Sequence, residues 1–427
     1  MSAQTPRLQA LFENTRTVCF GRFLMQVPAA ATVVYGPAEA DTPIRRLPGE
    51  GARVTDHLAR RLADIENERD FLLKDDIPKL PLFGKVLDGA VPGQKIVFGS
   101  KNQVGYTIDS YVPVGDDLFV QHLNSVLPQH DRIATINRIA SHLRLRAGDE
   151  VPAEPGSCID GGFIPLDQKF ERVTVGIRLK EFPDVHFSVE VHKNQERLAE
   201  SGSLELLREQ AKNDAAQRGL GALYARIQIL RRQTRQLGAW SGPDIASRTP
   251  AHGNETEAHE FRFQSLGAVN DPLQPLLDVR LDSGVKDDRK ASVKPSITDE
   301  EAIALWDGLI GSIRIRPGGV AKPATAAARA RVPLASLAAT GNPCPETGWW
   351  QCSESGRVDG GTRRHFIAGE PLPPAVFLGE PRLWHKLGAS LPTHTAATIW
   401  QLVAYGAPDN TTAHQAIRGS DEGEPHA

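Results

Sequence analysis

One eight-residue pattern occurs twice in this chain and constrains its fold more than any other feature. Ile139-Ala140-Ser141-His142-Leu143-Arg144-Leu145-Arg146 is matched in kind by Leu309-Ile310-Gly311-Ser312-Ile313-Arg314-Ile315-Arg316. Each copy closes an amphipathic helix and passes into a basic, alternating tail. Each also has a counterpart far upstream, an opening with cysteine, glycine and phenylalanine. These openings are CFGRFLMQVP from Cys19 and CIDGGFIPL from Cys158, and their apolar stretches end at Pro28 and Pro165. A chain that repeats its opening and its closing builds two cores of the same kind. The predicted class is α+β, with two related domains at 15–147 and 158–318. The competing reading is two unrelated α+β domains with a chance likeness.

The stretches between these markers fit that class. In the first half, TVVYG follows the opening. A helix is predicted from Ala52 to Arg69, with Val54, Leu58, Leu62 and Ile65 on one face. KIVFGS, GYTIDSYVPV and DLFVQHLNSV are strand candidates. The alternation of Tyr106, Ile108 and Ser110 with Thr107, Asp109 and Tyr111 predicts an antiparallel sheet covered on one side. Ile133, Ile136, Ile139 or Ala140, and Leu143 mark the buried face of a second helix.

In the second half, ERVTVGIRL and VHFSVEVHK suit a hairpin. A helix from Ser203 to Arg218 stops at Gly219, a natural C-terminal cap. ARIQILRR, AHEFRFQSL and LLDVRLDSG are further strands. Thr298 with Glu301 three residues on has the spacing of a capping box, and it starts a helix that buries Ile303, Trp306, Ile310 and Ile313.

Polar residues 148–157 read as a linker and Ala/Gly/Pro-rich 319–342 as a second. A small Trp-rich module follows at 343–406, and 407–427 reads as a disordered tail. At 427 residues, and roughly 150 per domain, two or three domains fit.

A net charge of −3, with basic pairs scattered among acids, argues against nucleic acid, whose binders concentrate positive charge. No apolar run approaches the ~18 residues that span a bilayer, so no membrane insertion is expected. The first thirty residues lack a basic start, an apolar block and a small-residue cleavage site. On that reading the chain is cytoplasmic, or stands without its export signal.

Few motifs in the chain carry chemistry. There is no Gly-x-Ser-x-Gly elbow, Walker A loop, His-Glu-x-x-His helix or Cys-x-x-Cys pair. No catalytic, cofactor-binding or metal residue is therefore assigned, and no cofactor is expected. His186, Glu190 and His192 would share one face of a strand and could offer a metal two imidazoles and a carboxylate. A solvated hairpin face with Val185, Phe187, Val189 and Val191 turned inward explains the same alternation. His252 and His259 flank HGNETEAH, read as a surface loop. Cys344 and Cys352 bracket CPETGWWQC and are the candidate disulfide in an oxidising compartment. Trp349, Trp350, Trp384 and Trp400 are expected to be core for the most part, with one of the Trp349–Trp350 pair exposed because strand neighbours face opposite ways.

Taken together, CFGRFLMQVP, GSCIDGGFIPL and the closing LWDGLIGSIRIRPG resemble a family of immunity proteins. These neutralise the fourth class of phospholipase (lipase) effectors of the bacterial type VI secretion system. The resemblance runs over roughly residues 15 to 318. It implies two α+β domains arranged as a claw, which grip the effector's lid and active-site entrance and perform no chemistry. It also implies a periplasmic location, with the cytoplasm as the alternative because no export signal is visible. The partner would be a cognate lipase effector, held in the cleft between the two domains. The resemblance transfers no contact residues. Two rivals come from other classes. One is a hydrolase with an unrecognised site around His186, Glu190 and His192; the other is a cell-wall or glycan binder using Trp349 or Trp350.

Overall fold

The apolar stretch from Cys19 to Pro28 reverses at Gly21, whose φ of +52° lies in the left-handed region that glycine adopts without a Cβ penalty. The second opening does the same at Gly161, at φ +55°. Both openings are therefore tight hairpins. The computed structural model describes residues 5–69, 79–101, 104–130, 132–193, 203–318, 332–354, 356–378 and 393–406.

In chain order, α1 (Pro6–Glu13) leads into β1 (Thr15–Phe20), β2 (Phe23–Pro28), β3 (Thr32–Ala40), β4 (Pro43–Leu47) and α2 (Val54–Arg69). Then come β5 (Val86–Asp88), β6 (Lys95–Gly99), β7 (Tyr106–Val114), β8 (Asp117–Val126), α3 (Ile133–His142) and β9 (Arg144–Leu145). The second half begins with β10 (Ser157–Ile159), β11 (Gly162–Ile164), β12 (Glu171–Arg178), β13 (His186–His192), α4 (Leu204–Gln217) and α5 (Gly221–Tyr224). It continues through β14 (Gln228–Leu237), β15 (Trp240–Thr249), β16 (Ala258–Ser265), β17 (Leu276–Asp282), α6 (Asp299–Ile310) and β18 (Arg314–Ile315). The last part is all strand: β19 (Leu337–Ala339), β20 (Gly348–Cys352), β21 (Arg357–Val358), β22 (Arg363–Phe366), β23 (Ala375–Leu378), β24 (Thr393–Ala396) and β25 (Ile399–Tyr405). The expected α+β class with antiparallel sheets is what the chain adopts. None of the described helices is long and apolar enough to cross a membrane.

These elements form two units, Met1–Gly51 with Val114–Gln121 and His142–Thr325, and Ala52–Pro113 with His122–Ser141 and Ala326–Ala427. In the first unit, strands run in the order β14-β15-β16-β17-β13-β12-β3-β4, and β4 pairs with β8 from Leu118 to Gln121. The β12–β13 hairpin forms as its alternation predicts, with Val173, Val175 and Ile177 buried across from Val191, Val189 and Phe187. Strand β15 is absent from the sequence expectations, because SGPDIASRT shows no apolar alternation. The Thr298–Glu301 capping box forms in full, and of the four residues expected to be buried Trp306, Ile310 and Ile313 are, while Ile303 is half-buried and Leu309 takes a core place instead.

The two openings and two closings exchange partners within this unit. The first hairpin, β1–β2, is completed by β18, through Arg314↔Leu24 and Ile315↔Phe23. The second, β10–β11, is completed by β9, through Leu145↔Gly162 and Arg144↔Phe163. One turn is thus capped by the Arg316 amide, which donates to the Arg22 carbonyl at 2.9 Å, and the other by the Arg146 amide, which donates to Gly161 at 2.9 Å. Both arginine side chains are buried and spend their donors on carbonyls. Arg316 reaches Pro152, Glu154 (2.9 Å) and Gly156 (2.8 Å), which fastens the segment read as a linker; Arg146 reaches Ile159 (3.2 Å) and the Tyr35 hydroxyl (3.0 Å).

Within the second unit, β5, β6, β7 and the end of β8 are neighbours. The expectation of one solvated face on β7 fails, since Tyr106 through Val112 are all buried. The reason is α2. Its Arg61 donates to Asp109 at 2.7 Å and to Thr107 at 2.7 Å, and its His57 stacks on Tyr111. The helix face is the one predicted, although only Ile65 on it is fully covered.

The Trp-rich module has one sheet in the order β19-β25-β20-β22 and another in the order β21-β23-β24. Strand β19 lies inside the stretch read as the second linker. Trp350 and Trp400 are core, fully buried, while Trp349 is half-buried beneath Arg363 and edge-on to His365. Trp384 and the tail 407–427 lie outside the described residues.

The disulfide expectation needs correcting. Cys344 and Cys352 are free and buried, and the bond is Cys19–Cys158. Extended β20 separates Cys344 from Cys352. The Cys344 thiol donates to the Glu346 carbonyl, whereas the Cys352 sulfur meets the Thr398 hydroxyl.

Candidate partner-docking surface

Among the described residues, one grouping has the look of acyl-transfer chemistry: His259, Ser283 and Asp299. The His259 ring sits 2.8 Å from the Ser283 hydroxyl through Nδ1 and 2.8 Å from Asp299 through Nε2. Geometry of this kind serves a nucleophile only if the hydroxyl faces substrate. Ser283 is fully buried, and its oxygen already accepts the His259 backbone amide at 2.8 Å. His259 itself is 2% exposed on β16, not in the surface loop expected from HGNETEAH. The group pins β16 to the segment after β17 and to the first turn of α6.

His186, Glu190 and His192 do share one face of β13, as their spacing predicts. Each has a different neighbour. Glu190 pairs with Arg172 at 2.9 Å, and His192 packs edge-on against Phe170. Partial burial, aided by Arg178 and Arg172 respectively, holds both imidazoles below their ordinary pKa. Among the described residues no three His, Cys, Asp or Glu side chains are placed to hold a metal ion.

The surface around α4, α5 and β14 is different in character. Ser203 caps α4 by accepting from the Leu206 amide, and Gly219 ends it at φ +73°. Yet α4 buries only Leu204. Leu206, Leu207, Leu220 and Ile229 stand 36–43% exposed, large apolar side chains left to solvent. Of the four, Leu220 lines a groove of about 360 Å³, together with Leu223, Tyr224, Ile227 and Pro250 and with the polar His252, Glu255, Glu260 and Lys290. That volume lies at the lower end of the range of ligand pockets.

Strand β14 beside it is held rigidly from one face only. Asp244, fully buried, accepts from Trp306 (3.0 Å), Gln233 (2.8 Å) and Arg235 (2.8 Å). Arg231 and Arg235 also bind Asp307, at 2.8 and 2.5 Å. Burial opposes the charge of Asp307, but these hydrogen bonds outweigh it and keep its carboxyl below the usual range. By contrast Arg218, Arg226 and Arg232 have no carboxylate partner among the described residues. The sequence signal for this surface was the basic run RRQTRQ with little apolar content, which reads as an ordinary solvated strand until burial is known.

The fold has known counterparts. An immunity protein of the T6SS of Pseudomonas aeruginosa, TplEi, matches in a complex with an "L" peptide and in its apo form. Both align with TM-score 0.53 and 23% identity over 71% of this chain and 99% or 97% of theirs. A chain of the Tle4–Tli4 complex aligns with TM-score 0.55 and 22% identity over 71% of this chain and 98% of its own. No curated protein matches the sequence. The family described as Tle cognate immunity protein 4 C-terminal domain matches residues 150–318, which include the second hairpin, the large sheet's far strands, α6 and β18. Over residues 150–318 this chain is similar to the C-terminal domain of the Tle cognate immunity protein 4 family.

Proposed function

We propose that the protein is an immunity protein that binds a T6SS phospholipase effector and inhibits it sterically, protecting the cell that makes it. The family match over residues 150–318 carries this reading. The shared fold supports it, because one counterpart is a chain of an effector–immunity complex and another is an immunity protein caught with a peptide. The chain works by occupying a surface of its partner and transforms nothing. The burial of Ser283 supports that part of the reading. The site of action is the periplasm. The Cys19–Cys158 disulfide supports this, since such bonds persist in oxidising compartments and are rare in the cytosol.

The test is to co-express the chain with a T6SS phospholipase effector of the Tle4 kind. Co-purification is expected, together with loss of lipid hydrolysis at equimolar immunity protein. Full hydrolysis in its excess would eliminate the proposal.

A further inference from the structure

We infer that the effector docks an extended, acidic segment along the outer edge of β14 by strand addition, seating one apolar side chain in the adjacent groove. The inference rests on the effector-binding reading above and names the surface and the chemistry of the partner segment.

Strand β14 is the end strand of its sheet and, among the described residues, pairs only with β15. An uncovered edge is a template for another strand, and proteins usually blunt it with proline, a bulge, a cover or charged side chains, of which β14 has the last in its three arginines. From Arg231 to Leu237 this edge has no proline, and its only register break lies before Arg231. Leu237 and Trp240 flank a two-residue turn and form the first pair of the hairpin. Hydrogen-bonded and open pairs alternate from there, so Arg232, Thr234 and Gln236 turn their amides outward. The strand is also prepared for a partner, because Arg231, Gln233 and Arg235 fix it from the inner face through Asp244 and Asp307.

Charge selects the occupant. Ser203–Leu237 has seven Lys and Arg against three Asp and Glu, in a chain whose net charge is −3. Two of the seven, Arg231 and Arg235, are neutralised internally, while Arg218, Arg226 and Arg232 are not. A second copy of the same edge would set like charges against each other, whereas an acidic strand would complement them. The groove begins where β14 begins: Ile227, in its floor, precedes Gln228 directly, and Thr249, at its wall, follows Gln228's partner Arg248. A strand laid on the edge thus leads into an apolar recess of about 360 Å³, room for a single buried anchor.

The experiment uses the full chain and the Tle4-type effector that co-purifies with it in the test above. Hydrogen exchange on the unmodified complex should show the outer amides of β14 slowed by about tenfold or more. Thr234→Pro removes an outward amide without touching the β15 ladder, so it should keep the wild-type Tm and weaken Kd by about tenfold. Arg232→Asp should weaken binding to a similar degree and flatten its salt dependence, while Arg45→Asp, at an exposed arginine of β4, should leave Kd unchanged. Unaltered exchange at β14 in a tight, inhibited complex would overturn the inference and leave the immunity reading intact. That measurement decides the matter even if Thr234→Pro fails to fold. Absence of any binding by the wild type would bring down both. A free chain that dimerises, and becomes monomeric with Thr234→Pro, would identify a second copy as the occupant and overturn the inference.

Discussion

Cys19 and Cys158, which stand at equivalent places in the two opening hairpins, are joined by a disulfide across 139 residues of sequence. The backbone repeats the link: the Gly21 amide donates to the Cys158 carbonyl at 2.8 Å, and the Cys158 amide donates back to Gly21 at 2.8 Å. Leu24 and Phe163 pack around the bond with both cysteines buried. The two openings are thus sewn to each other, while each receives its third strand from the closing of the other half.

Long-loop crosslinks act mainly on the unfolded chain. Cys19→Ser with Cys158→Ser is expected to cost about 3–5 kcal/mol, measured by chemical denaturation. Adding a thiol reductant to the unfolded wild type before refolding should reproduce the loss. Identical midpoints for oxidised and reduced protein would contradict it.

Arg22 is 1% exposed and binds Glu171 through Nε at 2.9 Å and Nη2 at 2.5 Å. Glu171 is itself buried, so truncating the arginine strands a carboxylate. Arg22→Met should destabilise by about 3–5 kcal/mol. Adding Glu171→Gln should recover much of that. A double mutant no better than the single one would show that the pair is not the source of the loss.

Histidines give the two units opposite responses to pH. The hydrogen bond from Asp109 raises the His122 pKa above its ordinary value, despite partial burial. Its contribution is complete below about pH 6.5, the unfolded value, and is lost as pH rises through the folded pKa. Asp109 is depressed by His122 and Arg61 against its own burial, so its contribution is present above about pH 3.9 and is lost as pH falls through the folded pKa. His186 and His192 are depressed, chiefly by burial. For them the unfolded chain takes up protons first, so stability falls as pH drops below about 6.5. Denaturation of His122→Asn should lose the decline above pH 6.5, and that of His186→Asn part of the decline below it. Ring NMR titrations should order the three, with His122 highest.

Ser283→Ala removes the hydrogen-bond partner of two buried groups of His259, its backbone amide and its ring. A stability loss of about 1–3 kcal/mol is expected, with effector inhibition unchanged. Labelling of native Ser283 by a fluorophosphonate would instead reveal an exposed nucleophile and revive the hydrolase reading.

Much of the fold could be read from local chemistry. The Thr298–Glu301 cap, the stop at Gly219 and the alternation of Val173, Val175 and Ile177 each depend on neighbours in sequence. Strand β15 was missed because Asp244, a charged residue at a buried position, breaks the apolar pattern; only Arg231, Arg235 and Trp306, from distant elements, make its burial tolerable. The docking surface was hidden for a related reason. Whether a leucine such as Leu206 is core or surface depends on what covers it, and a sequence does not record its cover.

The sequence by itself determined the α+β class and the β12–β13 hairpin, since side-chain periods are set by near neighbours; CFGRFLMQVP, which reads as one strand, folds instead as a hairpin about Gly21. Tertiary structure alone decided that Cys19 finds Cys158 while Cys344 and Cys352 stay free, that β18 completes the first hairpin and β9 the second, and that β14, among the described residues, is an end strand paired on one side. Those outcomes depend on which strand reaches which partner across long stretches of chain, a choice made by packing and hydrogen-bond satisfaction throughout the unit.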